Sequence, residues 1–249
     1  MTIGVICAMQ EEINEIHRDM QSDSTTTIAG REFISGTLYG QKAVLVMSRV
    51  GKVAASITAT LLLEHFKVDK ILICGTAGGV DPQMNVGDIV VADYSVQHDM
   101  NPGDNSFRIP LLEIAYLKSD DSLTELALKA ASDYASTQMT EDIPQEYLDK
   151  FHITAPKAVL GTIASGDQFI CEKEKNVWLY EHVKNIKCVE MEGAAVAQVC
   201  YEWGVPFTVI RVISDGANDD SSVDFDLFIE KAARFFTRGI VRACFERMS

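Results

Sequence analysis

The sequence predicts an α/β fold around a mostly parallel or mixed sheet. Short runs of β-forming residues alternate with helical runs along the 249 residues. The β-type runs are nearly continuous in apolar residues, as expected of strands covered on both faces. Several of them end in a small or polar cluster: "AMQEE", "GTAGG", "SGDQF", "EMEG" and "SDGAND". Ligands of such sheets sit outside the carboxyl ends of the strands. A purely structural sheet needs turns there, but not acids at so many turn mouths.

"TIGVICA" (2–8) is the first predicted strand, followed by a helix over "EEINEIHRDM" whose leading acids suit a helix N-terminus. "REFISGTLYG" and "KAVLVMS" read as a hairpin with Gly40-Gln41 at the turn. An Ala/Leu-rich helix over 52–66 comes next. "KILICGTAGG" and "GDIVVADYSV" are strands, and an acidic helix lies near 120–136. Residues 137–156 are polar and irregular in pattern and are read as a surface excursion. "KAVLGTIASG" (157–166), "KCVEM" and "FTVIRVISD" (207–215) complete the strands, with helices at 172–183, 193–203 and 225–246. No internal repeat and no Pro/Gly/Ser linker divides the chain, so 1–249 is expected to form one domain.

Composition narrows the function. A formal net charge of −14 argues against a grip on nucleic acid or an acidic membrane, because phosphate backbones call for clustered Lys and Arg. "MTIGVICAMQEE" lacks a basic leader, and no apolar stretch approaches the ~18 residues of a membrane span. Six scattered cysteines without a C-x-x-C, and five histidines without H-E-x-x-H, suggest reduced thiols in a cytoplasm and no metal site.

The motifs are individually modest. "GTAGG" fails the dinucleotide fingerprint because Ala77 occupies a glycine position, and "VGKVA" lacks the upstream glycine and the Ser/Thr of a P-loop. The "GTAGG" turn is either only a turn or a polar wall made of backbone N–H groups and Thr76. Asp215 before Gly216 can equally be turn chemistry, and Phe169 and Phe225, taken singly, read as core. "VEMEG" is harder to dismiss. Glu190 sits inside an apolar strand, where an unpaired carboxylate costs several kcal/mol or more. Either Arg211 neutralises an acid there or an exchangeable polar ligand satisfies it. An ion pair explains one glutamate better than two.

Taken together, "GVICAMQEE", "GKVAASITATLLLEHF", "GTAGG", "VGDIVVAD", "SGDQFI", "VEMEGAAVAQVC" and "VPFTVIRVISD" resemble the nucleoside phosphorylase/hydrolase superfamily, and most closely its 5'-methylthioadenosine/S-adenosylhomocysteine nucleosidase family. Seven pieces in the family's order make the signal specific, and "DFDLF" also fits. The resemblance implies a three-layer α/β/α sandwich around a mixed, partly closed sheet, usually in a homodimer. It implies hydrolysis of the N-glycosidic bond of 5'-methylthioadenosine, S-adenosylhomocysteine and related adenosines, releasing adenine. Asp215 matches the acid that protonates purine N7, and Glu12 the base that activates water. Glu192 matches the carboxylate on the ribose hydroxyls, with Met191 beside it. Ile170 matches a backbone reader of the adenine edge, and Phe169 a ring on the base. Gly78 and Thr76 match the pocket wall, Arg211 and Ser214 polar support, and Met9 and Phe225 the apolar surround of the sugar and 5'-substituent. No metal or cofactor is implied. The acid and the base need different protonation states, so the site should shift their pKa values apart.

Three departures stand out. Arg49 occupies a place that is usually small. The segment 100–156 is longer than typical. Within it "HDMNPGDNSFRIP" corresponds to a stretch that often reaches the partner's 5'-pocket, which makes Phe107 a candidate there. A phosphorylase of the same fold is the main rival reading, with Arg49 in its favour. Against it, a carboxylate ~5 Å from phosphate costs roughly 3 kcal/mol at an effective dielectric of about 20, and "AMQEE" offers acids where phosphate needs cations. An aminodeoxyfutalosine nucleosidase or a non-catalytic nucleoside-binding protein would also fit this scaffold.

Overall fold

The computed structural model describes residues 1–104, 106–216 and 221–248, with the side chains of 221–224 also outside the description. Of the predicted stretches, Asn105 in the 98–110 segment, part of the "SDGAND" mouth and Asp224 of "DFDLF" fall outside it.

The chain opens with β1 (Thr2–Cys7), α1 (Gln10–Asp19), β2 (Gln21–Ile28), β3 (Arg31–Leu38), β4 (Gln41–Met47) and α2 (Lys52–Glu64). Then come β5 (Lys70–Gly79), β6 (Ile89–Gln97), β7 (Tyr116–Lys118) and α3 (Asp121–Asp133). A π-helical turn (Tyr134–Gln138) leads into α4 (Met139–Asp142) and α5 (Gln145–Lys150). β8 (Ala158–Ser165), α6 (Lys173–His182), β9 (Ile186–Glu190), α7 (Gly193–Trp203) and β10 (Phe207–Asp215) follow. α8 (Ser221–Phe228), a second π turn (Ile229–Ala233) and α9 (Arg234–Arg247) complete the described chain.

The strands form one sheet in the order β10-β6-β8-β9-β5-β1-β4-β3-β2, and β10 also pairs β5. That extra pairing closes β5, β10, β6, β8 and β9 into a five-stranded barrel, leaving β1, β4, β3 and β2 as an open wing. Pairings of both senses occur: β1 is parallel to β4 and β5, whereas β5 is antiparallel to β9 and β10 to β6. α1, α3 and α9 pack over one apolar cluster with Ile3, Leu45, Leu72 and Phe236, and α2 and α7 over another with Ile6, Leu62, Ile73 and Val196. The mixed, partly closed sheet between helical layers agrees with the expected class.

Four local expectations change. β2 has no counterpart in the sequence reading, because "QSDSTTTI" is polar and exposed along nearly its whole length. Its two-residue connection to β3, Ala29-Gly30, takes positive φ at both positions, the geometry that matches the twist of a tight hairpin. The next turn is Tyr39-Gly40 rather than Gly40-Gln41, again with both φ positive and Leu38 facing Gln41. β7 is three residues long, too short for periodicity to detect.

Residues 137–156 are not a simple surface excursion. They hold two short helices, and Met139, Ile143, Leu148 and Ile153 are buried in the first core cluster. These apolar residues are spaced too irregularly, among Thr, Glu, Asp and Gln, to reveal a buried face.

Candidate active site

Glu12 is the third residue of α1, and its position there is set by a back-bond to the start of the helix. Its Oε2 accepts from the N–H groups of Ala8 (2.9 Å) and Met9 (3.1 Å), so a first-turn glutamate satisfies donors that the helix leaves open. Its Oε1 accepts from Thr76 N at 2.9 Å and Thr76 Oγ1 at 3.2 Å, which joins α1 to β5. Burial pushes the Glu12 pKa above the usual carboxylate range, against the lowering pull of Arg211 and the three N–H groups.

Arg211 crosses the floor of the pocket from β10. It stands in register with Gly75 of β5, and a Cβ at Gly75 would collide with Arg211 Nη1 and come within 2.7 Å of Glu12 Oε1. Glycine is therefore what lets the cation and the carboxylate meet above the strand. Arg211 Nη2 donates to Glu190 Oε2 and lies 3.4 Å from Glu192 Oε2. Burial disfavours its charge, but Glu190, Glu192 and Glu12 together raise its pKa above the ordinary arginine value.

The two glutamates of "VEMEG" have different surroundings. Glu190 ends β9 and faces the N-terminus of α7, where it accepts from Glu192 N (3.1 Å) and Gly193 N (2.8 Å). Ser165 Oγ donates to its other oxygen and itself accepts from Ala194 N at 2.7 Å. Glu192 accepts one short bond, from Gly51 N at 2.9 Å. Its pKa is pushed up to about 8 by burial and by Glu190, with Arg211 and the Gly51 N–H opposing. Three buried carboxylates around one guanidinium cannot all carry charge cheaply, so the carboxyl of Glu192 holds its proton more tightly than a free one.

Asp215 ends β10 at a bulge. Ile213 faces Ala77 and Asp215 faces Gly78, so Ser214 is an extra residue, and its hydroxyl lies 2.8 Å from Asp215 Oδ2 and 3.2 Å from the Ala77 carbonyl. Opposite, the loop after β8 supplies Phe169 and Ile170. Phe169 is 45% exposed and its ring meets Phe225 edge-on at 5.4 Å.

One pocket joins these groups. Met9, Glu12, Thr76, Gly78, Phe169, Ile170, Met191, Glu192, Arg211, Asp215 and Phe225 all line it. Of the predicted site residues, only Ser214 stands behind the lining, where it holds Asp215. Glu190 also lines the pocket, as do Ala8, Val50, Ala77, Gln168 and Val189, which sequence reasoning does not single out. Gln168 belongs to the "SGDQF" cluster. The apolar four look like ordinary strand and loop residues, and no local signal separates them from core.

Two sequence expectations relocate. Arg49 is not in the lining; its Nη2 donates to Gly30 O at 2.7 Å and ties the β2–β3 turn to the loop before α2. Phe107 is only 5% exposed and packs edge-on against Trp178 of its own chain at 5.8 Å. Its run of apolar neighbours in the fold, including Ile170 and Val189, outcompetes solvent. Among the described residues, no group of three His, Cys, Asp or Glu side chains is arranged to hold a metal ion.

Comparison with known proteins identifies the family. Residues 2–246 match the model of the phosphorylase superfamily. A 5'-methylthioadenosine/S-adenosylhomocysteine nucleosidase of Shewanella sediminis (strain HAW-EB3) is 38% identical over 234 residues, covering 93% of this chain and 94% of that protein. The solved nucleosidase of the same name from Colwellia psychrerythraea 34H, in complex with adenine, superimposes with a TM-score of 0.86 and 31% identity, covering 99% of this chain and 95% of that one. Futalosine hydrolase of Helicobacter pylori strain 26695 superimposes with a TM-score of 0.80 and 32% identity, covering 98% and 97%. The chain belongs to the phosphorylase superfamily and, within it, to the 5'-methylthioadenosine/S-adenosylhomocysteine nucleosidase family.

Proposed function

We propose that the whole chain is one nucleosidase domain that hydrolyses the N-glycosidic bond of 5'-methylthioadenosine and S-adenosylhomocysteine, releasing adenine. The observation that carries this reading is a single pocket lined together by Asp215, the Phe169–Phe225 aromatic pair, the buried Glu12 and Glu192. In this reading adenine lies against Phe169, with its edge on the Ile170 backbone and its N7 facing Asp215. Protonation of N7 makes adenine a neutral leaving group and leaves an oxocarbenium-like ribosyl centre. Glu12, raised toward the working pH, takes a proton from the attacking water while Thr76 and the α1 N–H groups hold its orientation. Glu192 accepts from the ribose 2'- and 3'-hydroxyls, and Met191, Met9 and Phe225 enclose the sugar and its 5'-substituent.

The pocket's charge favours water over phosphate as nucleophile. Its lining cation, Arg211, is already shared among Glu190, Glu192 and Glu12, and Arg49 is engaged elsewhere. Turnover of methylthioadenosine should therefore release adenine without phosphate. A strict phosphate requirement with formation of a sugar 1-phosphate would place the chain among the phosphorylases instead. Glu12→Gln and Asp215→Asn should each lose ~10²–10⁴-fold in kcat. An aminodeoxyfutalosine substrate belongs in the same assay, because the futalosine hydrolase is a comparable structural neighbour.

We further infer a homodimer working in methionine salvage in the cytoplasm. Supporting the dimer, α2 and α7 both expose apolar side chains: Val53 (70% exposed) and Ile57 on α2, and Trp203 on α7. The six unpaired cysteines suit a reducing compartment. Sedimentation across a dilution series, with activity read in parallel, and cell fractionation test these two readings; a fully active monomer would refute a need for the partner.

A further inference from the structure

We infer that Lys52, Asp99 and Asp167 form a closed ring of hydrogen bonds that positions both halves of the pocket, and that Lys52 is its principal positioning residue. The kinetic consequence rests on the nucleosidase reading; the ring itself does not.

The ring joins three segments distant in sequence. Lys52 N, at the first position of α2, donates to Asp167 Oδ1 at 2.8 Å. Asp167 N, in the loop after β8, donates to Asp99 Oδ2 at 2.9 Å. Lys52 Nζ closes the circuit on Asp99 Oδ1 at 2.6 Å and also donates to Gln97 Oε1 at 3.1 Å. The Lys52 and Asp99 side chains are mostly buried, so this pair is less screened than a surface ion pair. Burial works against the Asp99 charge, but Lys52 and the Asp167 N–H hold its carboxyl below the usual range.

None of the three lines the pocket, but Asp167 directly precedes the lining Gln168, and Lys52 follows a glycine that bonds the lining Glu192. Gly51, one residue before Lys52, gives its N–H to Glu192 Oε1. It has φ of +99°, and a Cβ there would stand 3.1 Å from Asp167 Oδ1, so a glycine lets the two arms meet. Asp167 leads directly into Gln168, Phe169 and Ile170. Beneath that loop, a Cβ on Gly166 would collide with the buried His98 ring, and His98 N donates to Ser165 O at 2.9 Å. Gln97 Nε2 continues to Gln198 Oε1 at 2.7 Å on α7, the helix that begins just after Glu192. The ring thus fixes the distance between the carboxylate assigned to ribose and the loop assigned to adenine. Sites held by such a supporting layer lose rate when it loosens, because small displacements of reacting groups are costly.

The test uses the full chain carrying Lys52→Met, Asp99→Asn or Lys52→Arg. Two readouts are hydrogen exchange resolved to 48–53 and 166–170, and kcat and KM for methylthioadenosine and its 2'-deoxy analogue. In Lys52→Met and Asp99→Asn we expect faster exchange in both segments and a fall of up to ~10²-fold in kcat/KM, mainly in kcat. The preference for the ribosyl substrate should narrow, and Lys52→Arg should recover most of both. Unchanged exchange in the two segments overturns the ring. So does a lower Tm with kcat/KM and sugar preference intact, the mark of a purely structural ion pair. Should Lys52→Met fail to fold, Asp99→Asn carries the same readouts. A wild type that releases no adenine sinks the nucleosidase reading, while the exchange measurement still decides the ring.

Discussion

The end of β9 and the start of α7 each set a buried glutamate in the pocket wall, two residues apart in sequence, and they are built to opposite specifications. At the strand end, Glu190 is met on both oxygens by fixed donors: two N–H groups of the α7 start, Ser165 and Arg211. At the helix start, Glu192 has the Gly51 N–H at 2.9 Å and a long approach to Arg211 at 3.4 Å. A carboxylate offers about four acceptor sites. Glu190 has filled its sites with protein, whereas Glu192 keeps capacity toward the cavity. A single intervening residue separates a structural anchor from the carboxylate proposed to bind the sugar, because the strand ends between them.

The largest expected effect breaks this contrast at Glu192. A site that bonds a hydroxyl can disfavour an analogue lacking it by ~10⁴-fold, since its own buried group is left unpaired. Wild type should show a strong preference of this kind for a ribosyl over a 2'-deoxyribosyl substrate, and Glu192→Ala should largely lose it. The measurement is kcat/KM for both substrates. Discrimination that survives in Glu192→Ala means that the carboxylate does not hold the sugar.

A smaller effect is expected at Glu190. Glu190→Gln keeps the shape but replaces one acceptor oxygen with a donor that faces N–H groups and Arg211. It should cost stability on the order of 1–3 kcal/mol, the range for a buried polar group left badly paired, and keep most of the sugar preference. Denaturant unfolding and the same kinetic ratio check it. Loss of discrimination without loss of stability would reverse the two roles.

The same contrast explains what could be read without coordinates. Apolar runs such as "KILIC" and "TVIRVI" made the barrel strands legible, since strands buried on both faces need no periodicity to be seen. β2 was illegible because the wing's edge strand is solvated and polar, and its pairing is dictated by two tight turns rather than by burial. At the site, the acids at strand ends were legible as anomalies, and the family resemblance supplied their separate jobs. Ala77 and Val189 were not, because a wall residue and a core residue have the same chemistry. The Lys52–Asp99–Asp167 ring was hidden for another reason: its members come from segments 47 and 68 residues apart in sequence.

The smallest effect is a slope of stability with pH, and it sharpens the comparison without touching catalysis. Glu192 has its folded pKa raised from 4.5 to about 8, and Glu12 is raised as well. Between the unfolded value and about 8 the folded chain therefore binds more protons than the unfolded chain, so stability falls as pH rises. His98 acts in the opposite sense, because burial lowers it from 6.5 to about 4, which makes stability rise with pH up to about 6.5. The buried thiols Cys74, Cys188 and Cys200 are raised from 9.0 to about 12 or beyond and weigh in only at higher pH. The window from about 6.5 to 8 thus leaves the raised carboxylates Glu192 and Glu12 to set the slope. In that window the midpoint of urea unfolding should decline for wild type and decline less for Glu192→Gln, whose amide stands in for the protonated acid. A bound ribosyl ligand donates two hydroxyls to the ionised form, so it should lower the Glu192 pKa and flatten the wild-type slope. Parallel slopes in wild type and Glu192→Gln would show that the proton resides elsewhere, with Glu12 the next group to substitute.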